Sequence, residues 1–551
     1  MRYLQLFLFI VSSAFVHAQS FQTIAPSTFV SGRPFPFAVE VSNQFGLDNF
    51  YSSDLPVTVL GGEIPENLIR IMKGRSMSTA LQNGSGSLSI SSPDFTLTAS
   101  ENLAQWQTHT GTIATNEVWS NTLIHHITAD VTIPNGATLT IEPGSWVVIA
   151  PEVNIVVEGN LQVNGTIAEP SVFCSASSSS WGGILVNNGS AMFTYCFFNN
   201  GGGDYTQTFG HSNSQPVIRS NSSDVQLNHC FVFDCEGKAM AADGGNLVFK
   251  NGGVSRCDSG GEFSNSKVTV KNTHVLEIPD GDGILEDDDN DGFYFSGTNP
   301  QLHPYQVDSC VFMVGEDDGI DHNGSILEVT NCWVQGFANE GIAASNTNSV
   351  YVFNSLFKDC EQGIEAGYGS PTIIVDHCVL VDNEYGLRFG DWYNWGCNGN
   401  ITCTNSIMWN NDDNVYNFDV QTNGPVANAI DLTYSIPGDV EYDLATGNVV
   451  GVPQFDSEYQ LLAGSPGEGS ANDNTNMGLL APTPNGFIEA SISNFEKLQE
   501  FNIYNMNGQL VDCGKNETDL LMATRQLNNG MYLIQGLYKE STITHKIAVV
   551  R

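Results

Sequence analysis

Basic residues are scarce in this chain: Lys and Arg number 19 against 60 Asp and Glu, a formal net charge of −41. That balance excludes nucleic acid and anionic membrane as partners, because both need a basic face. It favours cations, and solubility outside the cell. Charged residues of either sign reach only 14%, well below the usual quarter. Long apolar runs are lacking as well: past the first residues, no uncharged apolar run approaches the ~18 residues needed to span a bilayer. The 12 Cys include no Cys-x-x-Cys pair, which makes zinc improbable, and the 11 His are scattered and form no ligand set. What the chain has in quantity is glycine, 55 of 551 residues, and length enough for roughly two to four domains.

The ends read as addresses. Arg2, the apolar stretch 4–16 and Val16-His17-Ala18 make residues 1–18 a secretory signal peptide. Residues 19–115 alternate apolar and polar positions between Gly, Asn and Pro turns, as in Phe35–Val41 and Ser87–Ser91, and predict an immunoglobulin-like β-sandwich. Residues 471–485, rich in Asn, Gly and Pro, predict a linker. Residues 486–551 predict a small antiparallel sandwich, with turn signals at Asn507-Gly508 and at Asn528-Asn529-Gly530. The strand ending in Asn507-Gly508-Gln509, the Leu527-x-x-Gly530-x-Tyr532 motif and the short last strand resemble the C-terminal sorting domain of the Bacteroidetes type IX secretion system. The resemblance implies export by that machinery, followed by release or attachment at the cell surface.

Between these ends lies a repeat. Gly319, Gly341, Gly363 and Gly386 are spaced 22, 22 and 23, and Cys310, Cys332, Ser355 and Cys378 keep step at 22, 23 and 23. Upstream, Cys230, Gly253 and His274 continue the step. Two markers in phase, with short β-rich runs, predict coils of a parallel β-helix over 116–470. Ile320, Ile342, Ile364 and Leu387 then form an inward ladder. The entry at 130–144 and 157–165 and the exit at 453–466 resemble right-handed, pectate-lyase-like β-helix proteins. The expected fold class is therefore all-β: a right-handed parallel β-helix flanked by an N-terminal sandwich and a C-terminal sorting sandwich.

Two polar features could bear chemistry. Asp280, Asp282, Glu286, Asp287, Asp289 and Asp291 fall in one short glycine-interleaved run. Alternating carboxylates suit Ca²⁺, which takes six to eight oxygens, and the run resembles thrombospondin-type calcium loops, so a structural Ca²⁺ is expected. The second feature is a row along one edge of the helix. Asp318 stands just before a corner glycine; two residues after such a glycine stand Asp321, Glu365 and Arg388. Stacking places Glu365 beside Arg388, and Asp321 ~9.6 Å from Glu365 across two rungs. That separation lies at the upper edge of the inverting-glycosidase range, which makes Asp318, Asp321, Glu365 and Arg388 the candidate catalytic group, with His322 placed to tune Asp321. The Gly-His-Gly and Arg-Ile-Lys elements of polygalacturonases are missing at the next coils. Trp392, Tyr393 and Trp395 offer faces for sugar rings or a hydrophobic cover. In-phase cysteines allow either stacked disulfides or a buried thiol ladder. The functional expectation is polysaccharide or cell-surface glycan binding; the alternative is a glycoside hydrolase or, with only Arg388 as a base in the row, a lyase.

Overall fold

The computed structural model describes residues 19–43, 46–84, 86–278, 290–297 and 304–480, together with backbone strands between 500 and 549. Among these there is no α-helix, and no helix long and apolar enough to cross a membrane. The expected signal peptide, 1–18, lies outside the described residues.

Residues 105–433 wind into a parallel β-helix in which 33 strands join into one continuous sheet. Each strand pairs with the strand about one coil away, so three faces run the length of the molecule. The second face shows the rule most clearly: Ile320 pairs with Ile342, Ile342 with Ile364, and Ile364 with Leu387, all fully buried. The aliphatic ladder expected from the period is present.

The corner glycines recur for a steric reason. Gly292, Gly319, Gly341 and Gly363 all have ordinary negative φ, so the left-handed region is not what selects them. A Cβ on Gly341 would sit 2.6 Å from the carbonyl oxygen of Gly363, and one on Gly363 at 2.6 Å from that of Gly386. Coils touch through backbone here, and no side chain fits.

The opposite solution holds at another corner, where Asn251, Asn272, Asn331, Asn354 and Asn405 have φ between 49° and 55°. Asn tolerates that region better than other residues with a side chain. Its amides also bond coil to coil, from Asn272 to Asn251 at 2.8 Å and from Asn354 to Asn331 at 2.8 Å. The cysteine marker follows this corner directly. Upstream the expected phase slips by one, because Gly253 and His274 share a column with Phe231 rather than with Cys230. The 11 described cysteines are all buried and unbridged, including the register neighbours Cys196–Cys230 and Cys235–Cys257, so the thiol ladder is the arrangement observed.

Residues 20–101 form two sheets, one of five strands and one of four, plus a two-stranded antiparallel ladder of Ser53–Pro56 with Leu68–Ile71. This sandwich lies on the first face of the β-helix. Ile69, Ile71 and Met77 share one apolar cluster with Phe231, Phe233, Leu276 and Trp333 of the helix. Arg75 is the polar centre of that contact. Its Nε and Nη2 donate to Glu40 at 2.9 and 2.7 Å, and its Nη1 donates to the carbonyls of Gly252 and Asn272 on two successive coils. His274 faces Arg75 through Nδ1 and Lys73 O through Nε2. Arginine can only donate, so Nδ1 is the acceptor and the ring is neutral. Burial and then the Arg75 charge push its pKa well down, in agreement.

Residues 482–551 make a separate unit, a four-stranded antiparallel sheet in which Glu500–Asn505 and Gly530–Tyr538 form the central pair.

Removing one member of a buried ion pair leaves the other charge stranded. Glu40→Ala is expected to lower unfolding free energy by about 3 kcal/mol, measured by denaturant titration, whereas the same change at exposed Glu63 should move it little.

Candidate functional site

Strand alternation sends every second residue of the second face outward. The outward column runs Arg219, Ala241, Glu262, Tyr294, Asp321, Ala343, Glu365, Arg388, Tyr416, each the register partner of the next. Asp321, Glu365 and Arg388 therefore share one row as expected, with Ala343 between Asp321 and Glu365. Arg388 Nη1 donates to Glu365 Oε1 in a closed ion pair. The Arg388 guanidinium is wholly buried, lies 4.0 Å from the Trp392 ring centre, and finds no protein acceptor for Nε or Nη2. Burial lowers its pKa to about 10, which still leaves it charged.

His322 is a correction. Because Asp321 faces out, His322 faces in: it stacks in register between Phe295 and Ala344, fully buried, with Nε2 against the carbonyl of Ser325. Burial pushes its pKa down to about 4, so it is a neutral core residue rather than a partner tuning Asp321.

Asp318 belongs to a different column at the corner. Its Oδ1 accepts the backbone N–H of Glu340 at 2.8 Å, and Glu340 in turn accepts from the side chain of Gln362. Burial first, then Glu340 and Asp317, push the Asp318 pKa well above the usual carboxylate range. Of the expected calcium ligands, Asp280, Asp282, Glu286, Asp287 and Asp289 lie outside the described residues. Asp291 is buried and accepts from Ser259 and Gly260 through its backbone carbonyl. Among the described residues no cluster of three or more metal-capable side chains occurs.

The aromatic loop after Arg388 is built rather than draped. Buried Asp391 accepts backbone N–H groups from Tyr393, Trp395 and Gly396, while Asp419 accepts those of Asp391 and Cys397. Burial opposes ionisation of Asp419, but the N–H groups of Thr422, Asp391 and Cys397 outweigh it and hold its pKa below the usual value. On this frame Tyr393 (74% exposed) and Trp395 (65% exposed) stack at 5.3 Å, and Tyr368 meets Trp395 edge-on at 4.9 Å. Tyr393 and Trp395 thus form an outward platform, while Trp392 of the same loop covers the Arg388 guanidinium.

Sequence reasoning missed Arg219 and Glu262 in the row and Asp391 under the platform. The spacing hid the first two: Glu262 and Tyr294 are 32 residues apart, because 279–289 interrupts the period between them.

Residues 111–208 match the family model of the pectate-lyase-like β-helix domain, and residues 482–550 that of the secretion system C-terminal sorting domain. The chain is a parallel β-helix protein with a sorting tail. The sorting domain marks it for secretion or for attachment at the cell surface, as the resemblance in the sequence implied. The β-helix match covers the first coils and stops short of the row from Arg219 to Arg388. Among solved structures, the catalytic domain of a GH87 alpha-1,3-glucanase in complex with nigerose is similar over 78% of this chain and 89% of that one. The identity is 8% and the TM-score 0.29, a likeness too slight to bear on activity. No curated protein matches the chain.

A raised carboxyl pKa keeps the native state protonated after the unfolded chain has ionised, so stability falls as pH rises above about 4 toward the folded-state value. Asp318→Asn removes that penalty while keeping an acceptor for Glu340 N–H. The expected outcome is a higher melting temperature than wild type at pH 7 and none of that gain at pH 3, read by thermal unfolding across pH.

Proposed function

We propose that this protein, once exported, binds polysaccharide along the outward row of its second face, with the Tyr393–Trp395 platform as the main grip. The observation that supports it is the exposed, stacked aromatic pair fixed by the three N–H bonds to Asp391. Large aromatic rings held out in water by a buried carboxylate are costly for stability alone, and their faces suit the C–H faces of pyranose rings. Residues 1–18 act as the signal peptide that starts export, and the type IX machinery completes it through the sorting domain.

A second reading, glycoside hydrolysis, rests on Asp318, whose buried carboxyl has its pKa pushed upward in the direction a general acid needs. It is weakened by Glu365, whose carboxylate is engaged by Arg388 rather than available as a base or nucleophile. The acidic run 280–291 takes Ca²⁺ as a structural ion: six Asp and one Glu within twelve residues repel one another without a counter-ion.

Three measurements test these statements. Tyr393→Ala and Trp395→Ala should each weaken retention in polysaccharide-impregnated native gels by ~10-fold, an interaction loss near 1.4 kcal/mol, with melting unchanged; wild-type retention by both sinks the binding reading. Glu365→Gln should leave retention intact and reveal no loss of reducing-end release; loss of turnover in that variant would establish the hydrolase. Chelation should lower the melting temperature, and Ca²⁺ but not Na⁺ of equal ionic strength should restore it.

A further inference from the structure

The other end of the same row holds a cavity of about 250 Å³, lined by Phe209, Asp243, Glu262, Ser264, Asn265 and Tyr294 among others. Its roof is part of the segment 200–217, which leaves the helix between the strands Ser190–Asn199 and Ile218–Asn221 and is tied back to it at several points. Lys238 donates to Phe209 O and to the Glu262 carboxylate, which also accepts the backbone N–H of His211. Ser212 and Ser214 donate to Asp258 at 3.1 and 2.5 Å. Gly210, at φ 75°, passes so close to Glu262 that a Cβ would collide with the carboxylate. The roof is therefore held at a fixed height above the sheet, with Phe209 as one wall, Tyr294 as another and His211 stacked on Tyr294 at 5.0 Å.

The groups that line this space are aromatic faces, hydroxyls, an amide and carboxylates, with no Lys or Arg among them. Of the cations nearby, Lys238 and Arg388 sit in ion pairs, whereas Arg219 rests on a ring and its Nε meets no acceptor among the described residues. Lys238 is paired with Glu262; Arg219 lies 4.6 Å from the Phe209 ring centre and feels the Asp243 charge; at the far end Arg388 is paired with Glu365 under Trp392. A carboxylated or sulfated sugar would meet more negative than positive charge on this row, where Arg388 is buried and Arg219 lies against a ring. Sugar hydroxyls, which donate to carboxylate and amide oxygens while their ring faces stack on aromatics, fit it.

From Tyr294 to Arg388 there are four rungs, or ~19 Å along the helix axis. We propose that the Phe209–Tyr294 cavity is a second sugar subsite, and that cavity and aromatic platform together hold a neutral polysaccharide chain lying along the row. This rests on the glycan-binding reading and adds to it the chemical class and the direction of the ligand.

The test uses the full chain in native gels containing neutral polymers (glucan, mannan or xylan) or acidic ones (polygalacturonate or alginate). Calorimetry with dimers and longer oligosaccharides of the best neutral polymer follows. The expected result is retention by a neutral polymer and at least ~10-fold weaker retention by acidic ones. Phe209→Ala, and independently the exposed Asn265→Ala, should weaken long oligosaccharides several-fold and leave dimers at wild-type affinity. Melting curves confirm that each variant is folded, and Asn265→Ala guards against a roof that Phe209→Ala has let collapse. Preferential retention by polygalacturonate or alginate overturns the proposal, as does wild-type affinity of both variants for every length. If Trp395→Ala abolishes binding while both cavity variants bind normally, only the second subsite falls. If no polymer is retained by the wild type, the glycan-binding reading falls and takes this proposal with it.

Discussion

The structure depends on backbone hydrogen bonds between strands stacked in register, one coil upon the next. That constraint makes each residue the neighbour of the residue one period later, so a column must be filled by side chains that tolerate their own kind at ~4.8 Å. Aliphatic residues do so inside, Asn amides do so at one corner by bonding to each other, and glycine does so at another because the carbonyl of the next coil occupies the space of a Cβ. Like charges are disfavoured in such a column, and Lys250 with Lys271 is an exception. The outward row accordingly alternates in character: Asp321 is separated from Glu365 by Ala343, and Glu365 is followed at once by Arg388.

Buried ion pairs secure what the coils alone cannot. Arg75 with Glu40 pins the N-terminal sandwich against two successive coils, Lys238 with Glu262 holds the roof of the cavity, and Arg388 with Glu365 sits beneath the aromatic loop. Such pairs add little net stability over an apolar packing of the same volume, but each tolerates only one arrangement of its surroundings. In a chain with few cations, three of them are used to fix parts that lie outside the regular repeat. The consequence for binding is electrostatic. With Lys238 and Arg388 paired, the row offers mainly carboxylates, hydroxyls and aromatic faces, which disfavours acidic polymers and leaves ring faces and hydroxyl acceptors as the means of recognition.

The period alone determined the coil register, the inward ladder from Ile320 to Leu387, and the contact between Glu365 and Arg388. It could do so because in a parallel β-helix, distance in space is a fixed step in sequence. The alternation of strand residues also contains the inward direction of His322, because with Asp321 outward its neighbour in sequence must point to the opposite face. The sorting tail was legible because its motifs are local. Tertiary structure decided the rest: that the sandwich lies on the first face, that Asp391 orders the aromatic loop, and that Lys238 and Glu262 close a cavity on the same row as Arg388. Those contacts join segments whose separation follows no period, such as Arg75 with Gly252 or Lys238 with Phe209. Only the folded path of the chain, not any spacing within it, brings such residues together.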